Sequence, residues 1–552
     1  MDKNTIIAFV LIGLILLLWP VFQTKIIGVP ESKKMEEQAV NTPSSDQSVK
    51  KPETNSAIQM SEKTERNERI RKLNPEKKRQ NIQADTVVIQ NNLFRGELST
   101  LGGGTIVGWK LKKYFTPEAG KDQKRTWVEL IPQDVQGNLG ITLDPLKARG
   151  IDLDEILFQY RIDTTGSTKT YRFFHLLNNG GRIEKTYSIT ENSYDVDLKI
   201  RLELTNYYDL SEGYQIHWTS GLSPTEKQLN DDLPYYEAYA LQGGEILKTK
   251  EKDTGIREGT TNWVAVRTKY FLMALIPQEE LGKAAELVGE SIGDSKWKYF
   301  NLNLFMPPST NTESIHHFKI YIGPMDYLEM KQYGVQLEKM MNFGMALIRP
   351  FSILFFHTLQ FLFRLLGNYG WAIIVFSILI KAVLYPLTRK SFQSMKKMQE
   401  LQPKMEALKE KYKKDPQRLN QETMKLYKQQ GVNPLGGCLP MLLQMPVLFA
   451  LFNLFRTTIM LRQAEFLLIK DLSSPDAILP GGFNLLPILM GASMIVQQKL
   501  SSTQNPQQKT MAYIMPIFLT FIFFRLSAGL NLYYLMFNLL TIVQEIIIKK
   551  HK

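Results

Sequence analysis

The amino-acid sequence predicts an α-helical polytopic membrane protein with six transmembrane helices, five of them in a C-terminal core, joined to an all-β sandwich domain. Three observations lead there. An uncharged apolar stretch opens the chain at Asn4–Thr24, and five more apolar stretches crowd its last third. Between them lie about 240 residues in which apolar and charged positions alternate between turn clusters. Whole-chain averages conceal this division: a hydrophobic content of 44% over 552 residues is ordinary for a water-soluble protein.

Residues 1–25 read as a signal anchor. The stretch IIAFVLIGLILLLW lies in about 21 uncharged residues, enough at 1.5 Å per residue to cross a ~30 Å hydrocarbon core. A cleaved signal peptide fits poorly, because the run enters Trp19-Pro20-Val21-Phe22 without a small-x-small site. Residues 26–85 are polar, charged and nearly free of aromatics, so they are expected to form a disordered linker. In 86–325, Val196, Leu198, Ile200, Leu202 and Leu204 alternate with Asp197, Lys199, Arg201 and Glu203, which puts one strand face in a core and one in water. Asn178-Asn179-Gly180-Gly181, Gly102-Gly103-Gly104 and Gly243-Gly244 supply turns.

Beyond Gly323-Pro324 the period becomes helical. In 326–368, the Phe- and Leu-rich run Met345–Leu366 is interrupted by Arg349, Pro350, His357, Gln360 and Arg364, the pattern of an amphipathic helix lying in the membrane interface. Five spans are then expected within 369–548, at Tyr369–Leu387, Gly436–Thr458, Asn484–Gln498, Met511–Ser527 and Gly529–Ile548, followed by a basic tail at 549–552.

Charge orients these spans. The segment Arg389–Gln430 holds twelve Lys/Arg against five Asp/Glu, a net +7, whereas Leu461–Phe483 holds two against three. The positive-inside rule therefore makes 389–430 and the tail cytoplasmic; six spans put the N-terminus there too and the β domain outside. The chain's net charge of +13 needs no nucleic-acid partner once the basic run belongs to such a loop. Within 389–430, Met395, Met398, Leu401, Met405, Leu408 and Tyr412 form a near-heptad seam, broken at Asp415-Pro416 and resumed by Leu419, Thr423 and Leu426. Two antiparallel helices standing off the membrane, or merely a solvated basic hairpin, satisfy that pattern. Its charge suits anionic lipid or a negatively charged partner such as ribosomal RNA.

Lys381 stands inside the span WAIIVFSILIKAVLYPL. A lysine at bilayer depth costs on the order of 2.5–3.5 kcal/mol, so it marks a polar cavity unless it snorkels to the nearby interface. Ser377 lies one turn deeper, and Gln444, Asn538 and Thr541 stand at comparable depth in other spans, which favours a cavity. No P-loop, His-Glu-x-x-His or nucleophile elbow is present. His175, His217, His316 and His317 suit fold or surface roles, the last two facing opposite sides of a strand. The one cysteine, Cys438, reads as a small buried apolar residue.

Asn433-Pro434-Leu435-Gly436-Gly437-Cys438, then Pro440 and Gln444-Met445-Pro446, together with Leu461-Arg462-Gln463-Ala464, Tyr385-Pro386-Leu387-Thr388, Leu401-Gln402-Pro403-Lys404, Gly529-Leu530 and Tyr533-Tyr534, resemble the signature of the YidC membrane insertase family over roughly 345–548. The resemblance implies an insertase, not an enzyme, in a bacterial inner membrane with the β domain periplasmic. It implies a groove open to cytoplasm and lipid, its wall carried by Lys381, Ser377, Gln444, Met445, Leu448, Met494, Ile522 and Tyr534, and a cytoplasmic hairpin carrying Met398, Leu401, Pro403, Lys404 and Met405. Nascent membrane proteins are the implied clients. The Sec translocon, the ribosome and the signal recognition particle receptor are candidate partners beside the lipid bilayer; no cofactor, metal or small-molecule substrate is implied. The family usually has Arg where this chain has Lys381, which keeps the charge and loses the guanidinium fork. The β domain supplies none of these wall residues and is expected to be dispensable for insertion. A secondary transporter, or an envelope enzyme acting on carbohydrate through the β domain, are the alternatives.

Overall fold

The computed structural model describes residues 83–117, 126–132, 137–145, 151–177, 180–204, 210–227, 232–249, 255–291, 298–309, 313–413, 415–431, 439–501 and 506–550. The expected first span, nearly all of the linker, Asn178-Asn179 and the motif Asn433–Cys438 lie outside the described residues.

The alternation at Val196 builds what it dictates. Strand Asp195–Glu203 buries Val196, Leu198, Ile200 and Leu202 on one face. It pairs with Arg182–Ile189 on one side and Glu313–Pro324 on the other. Extended through further neighbours this becomes a fourteen-stranded sheet, every pairing among the described strands being antiparallel. A second sheet of Thr86–Gln90, Phe94–Ser99, Thr105–Phe115 and Trp127–Glu129 packs against it. Trp109 stacks on Phe94 at 4.3 Å and donates its indole N–H to the Ile322 carbonyl at 3.2 Å, joining the layers. Gly104, at φ +86°, lets the connecting turn lie on Tyr187 and Phe173, where a Cβ would come within 2.7 Å of the Tyr187 ring.

The chain leaves the sheet through α1 (Tyr327–Gln332), whose N-cap Asp326 accepts from the Leu328 and Glu329 amides. Trp263 Nε1 donates to the Val335 carbonyl at 2.8 Å and Arg267 Nη1 to the Met340 carbonyl at 2.6 Å, so this connection is stitched to the sheet. Next comes α2 (Arg349–Leu366), opened by Pro350 and closed by Gly367 in the left-handed region. It buries Ser352, Phe355, Phe356, Leu359 and Leu362 while Phe351, Leu354, Phe361 and Leu365 face outward.

Seven more helices follow: α3 (Tyr369–Glu400), α4 (Gln402–Lys411), α5 (Pro416–Gln429), α6 (Leu439–Thr457), α7 (Leu486–Ser501), α8 (Pro506–Phe523) and α9 (Ala528–Lys550). Two expected boundaries differ. The span expected to stop at Leu387 continues without a break to Glu400, because Pro386 sits inside the helix and the residues after it are good helix formers. The seam expected as one helix from Met395 to Tyr412 turns instead at Leu401, and Pro403 falls in the first turn of α4, where a missing N–H costs nothing. Met398 thus belongs to α3. Pro403 and Lys404 are exposed, while Leu401 is buried and Met405, Leu408, Leu419, Thr423 and Leu426 are half-buried along the face between α4 and α5.

By length and composition, two of the described helices can cross a membrane, over Tyr369–Met398 and Ala528–Ile548; Ile514–Phe523 in α8 is apolar over a shorter length. The other expected spans correspond to α6, α7 and α8.

Candidate functional site

Lys381 lies on α3 with 7% of its surface exposed, beside a cavity of about 380 Å³ lined by Ile378, Lys381, Ala382, Tyr385 and Leu540. Its ammonium donates to Thr541 Oγ1 on α9 at 2.7 Å and lies 4.8 Å from the centre of the Phe537 ring. The Thr541 hydroxyl in turn donates to the Phe537 carbonyl at 2.7 Å. One turn further along α9, Glu545 is buried to 4% exposure, and its carboxylate acts electrostatically on Lys381. A row of polar bonds continues on both sides. Gln544 Nε2 donates to Thr388 Oγ1 of α3 at 3.1 Å, and Asn538 Nδ2 donates to Ser493 Oγ of α7 at 3.2 Å. Polar groups of α3, α7 and α9 thus meet inside an apolar bundle, where each would be costly alone.

The other residues singled out by sequence fall in different places. Ser377 is fully buried and its hydroxyl donates to Ile373 of its own helix at 2.7 Å, so it faces packing and not the cavity. Gln444, Met445 and Leu448 are half-buried on α6; among the described residues the hydrogen bond of Lys381 goes to α9, not to Gln444. Met494, Ile522 and Tyr534 are partly buried against the hydrophobic core, Tyr534 in edge contact with Phe523 and Tyr533. Sequence reasoning passed over Ser493, Gln544 and Glu545, and noted Thr388 only as part of a motif. Glu545 sits near a basic helix end and looks like an interfacial charge, whereas its spacing of four from Thr541 is the signal that puts both on one face.

The β region holds a second polar group. His217 Nε2 lies 2.7 Å from Asp154 Oδ2, and Asp152, Asp154 and His217 offer ligand atoms within 4.8 Å of one another. Lys185 is fully buried nearby, donating to the Leu139 carbonyl at 2.7 Å. Burial pushes its pKa down to about 7, against the pull of Asp154. His316 and His317 do face opposite sides of their strand, one buried against Glu280, the other exposed beside Glu279.

Apolar helices around a buried lysine, fused to a large antiparallel sheet, define a membrane protein with an extramembrane β region. Residues 361–552 match the family described as 60Kd inner membrane protein, and residues 86–354 match the YidC periplasmic domain. The membrane protein insertase YidC of Prosthecochloris aestuarii is 35% identical over 583 aligned positions, covering 100% of this chain and 95% of that one. That of Chlorobium limicola is 36% identical, covering 99% and 94%. A solved structure described as an active YidC insertase with its first transmembrane domain resolved is 20% identical, with a TM-score of 0.37, covering 84% of this chain and 92% of that one. The chain belongs to the YidC family of membrane protein insertases.

Proposed function

We propose that this insertase receives nascent apolar segments at the cavity between α3 and α9, holds them against the polar groups around Lys381, and releases them sideways into the inner membrane. The observation that carries this reading is a lysine, almost fully buried among polar side chains and one carboxylate, Glu545, at the wall of a cavity in a bundle whose outer face is apolar. Such a charge attracts a carboxylate in the part of the client that must cross. At an effective dielectric of about 20, unit charges 4 Å apart attract by roughly 4 kcal/mol, against about 1 kcal/mol in water. The work is binding and release, with no bond made or broken. Six spans, cytoplasmic termini and a cytoplasmic α4–α5 hairpin complete the proposal; Lys381 then opens to the side from which clients arrive. The Sec translocon, the ribosome and the signal recognition particle receptor are the partners proposed at that face.

Photocrosslinking tests it. A photoreactive residue at Tyr385 or Leu540 should capture a stalled nascent membrane segment, while one at Val383, which is 70% exposed on the same helix, should capture lipid. Equal capture at all three would remove the cavity from the pathway. Orientation is tested with Cys438 replaced and single cysteines at Glu410 and Asn192, both exposed. An impermeant thiol reagent outside spheroplasts should label 192 and spare 410; labelling of 410 would reverse the topology.

A further inference from the structure

The loop between α6 and α7, residues 458–485, bonds both to the β region and to the starts of three helices that carry the polar groups around Lys381. It folds on itself first. Gln463 takes φ +56° and its amide donates to Asp471 Oδ1 at 3.0 Å, while the Leu472 amide donates to the Ala464 carbonyl at 3.0 Å. It then holds the start of three helices. Asn368 Nδ2, just before α3, donates to the Glu465 carbonyl at 2.9 Å, and Gly370 lies so close to Phe466 that a Cβ there would come within 2.0 Å of the ring. Asp476 Oδ2 accepts the Leu485 and Leu486 amides at the start of α7. The Ala528 and Gly529 amides at the start of α9 donate to the Ser474 and Leu472 carbonyls at 2.7 and 2.9 Å. Helices α3, α7 and α9 are the three that carry the bonded polar groups around Lys381.

The same loop is bolted to the β region by one side chain. Arg462, whose side chain is 1% exposed, donates through Nε to Glu226 at 2.8 Å and through Nη2 to the Phe115 carbonyl at 3.0 Å. Its guanidinium lies over the Tyr270 and Phe271 rings. Gln463 Nε2 adds a bond to the Phe115 carbonyl at 2.8 Å. Glu226 is held in turn: the Thr225 hydroxyl donates to it at 3.0 Å, and the Thr225 amide donates to buried Asp232, which also accepts the Lys269 amide. A buried Arg–carboxylate pair is weakened steeply when either member is removed, because the other charge is left in a dry site.

We infer that the Arg462–Glu226 pair is a bolt by which the β region holds loop 458–485 closed over the periplasmic ends of α3, α7 and α9. Arg462 is a positioning residue: it touches no client, and it acts by fixing the helices that do. This rests on the cavity being the client site, yet the bolt can be read without any client. In the full chain in lipid vesicles, with Cys438 replaced and Ser377→Cys as a buried reporter, a thiol reagent added on the β-region side should react slowly. Arg462→Met and Glu226→Gln, changes on opposite sides of the contact, should each speed that reaction at least tenfold. The charge-reversed pair Arg462→Glu with Glu226→Arg should restore at least part of the shielding, which a merely misfolded variant would not. Shielding unchanged in both single variants overturns the bolt. If the reporter is exposed as expected but client insertion never depends on Lys381, the proposed client site fails and the bolt stands.

Discussion

The β region and the helical region bury opposite things. In the sheets, Trp109, Trp218, Trp263, Tyr187, Phe173 and Phe271 are almost wholly enclosed and most charge lies outward, the arrangement that water imposes, with Lys185, Arg267 and Asp232 among the buried exceptions. In the helices, Leu354, Val383, Ile517 and Phe521 point outward while Lys381, Asn538, Thr541, Gln544 and Glu545 are enclosed. Apolar surface facing lipid gains nothing by burial, so close packing and polar contacts decide what the helices enclose. One chain therefore carries two folding rules, and the polar cluster is stable only because its members satisfy one another.

The sharpest break of that comparison comes from truncating an aromatic in each region. Phe173→Ala, in the sheet core, should cost about 3–5 kcal/mol. Phe521→Ala, on an outward face of α8, should cost under about 1 kcal/mol, since lipid fills the space. Unfolding of the full chain followed by tryptophan fluorescence reads both. Similar losses would mean that the helices are packed as a water-soluble core is.

A smaller effect is expected inside the polar cluster. If Lys381 takes up a client carboxylate as proposed, Glu545 competes with it, so Glu545→Gln should raise crosslinking of an acidic client by up to about tenfold, the ratio given by about 1.4 kcal/mol. A client with no acidic residue should not respond. An equal response of both clients would make Glu545 a packing residue only.

The smallest is a pH slope in the β region. Lys185 releases its proton near pH 7 when folded and near its ordinary 10.5 when unfolded. Below pH 7 it is charged in both states and the cost of burying the charge is paid in full. As pH rises from 7 to 10.5 the folded state binds fewer protons, so this residue makes stability climb by up to about 1.4 kcal/mol per pH unit. Lys185→Met should flatten the rise of melting temperature across that window; an identical slope would refute the depressed pKa.

How much of this could be read in advance follows from the range of each signal. The alternation at Val196–Leu204 is local, and strand and buried face followed from it. The pairing of that strand with Glu313–Pro324, more than a hundred residues away, left no local trace. Lys381 stood out because a charge in an apolar run is conspicuous. Ser493, a small residue after Gly491-Ala492, did not, and the span reads as ending at Leu387 because charge begins at Arg389, where a helix that stops and one that runs on beyond the membrane look alike in hydropathy. Arg462 lay in a noted motif, but its partner Glu226 is 236 residues distant.

The central claim is that the charge on Lys381 draws clients in, and it is tested most directly by insertion rates in vesicles containing the full chain. Two clients are compared, alike except for acidic residues in the segment that crosses. Lys381→Arg should insert both at close to the parent rate. Lys381→Ala should slow the acidic client by about tenfold or more, a loss of at least about 1.4 kcal/mol, and change the neutral client little. If Lys381→Ala inserts both clients at the parent rate, the buried lysine plays no part in insertion.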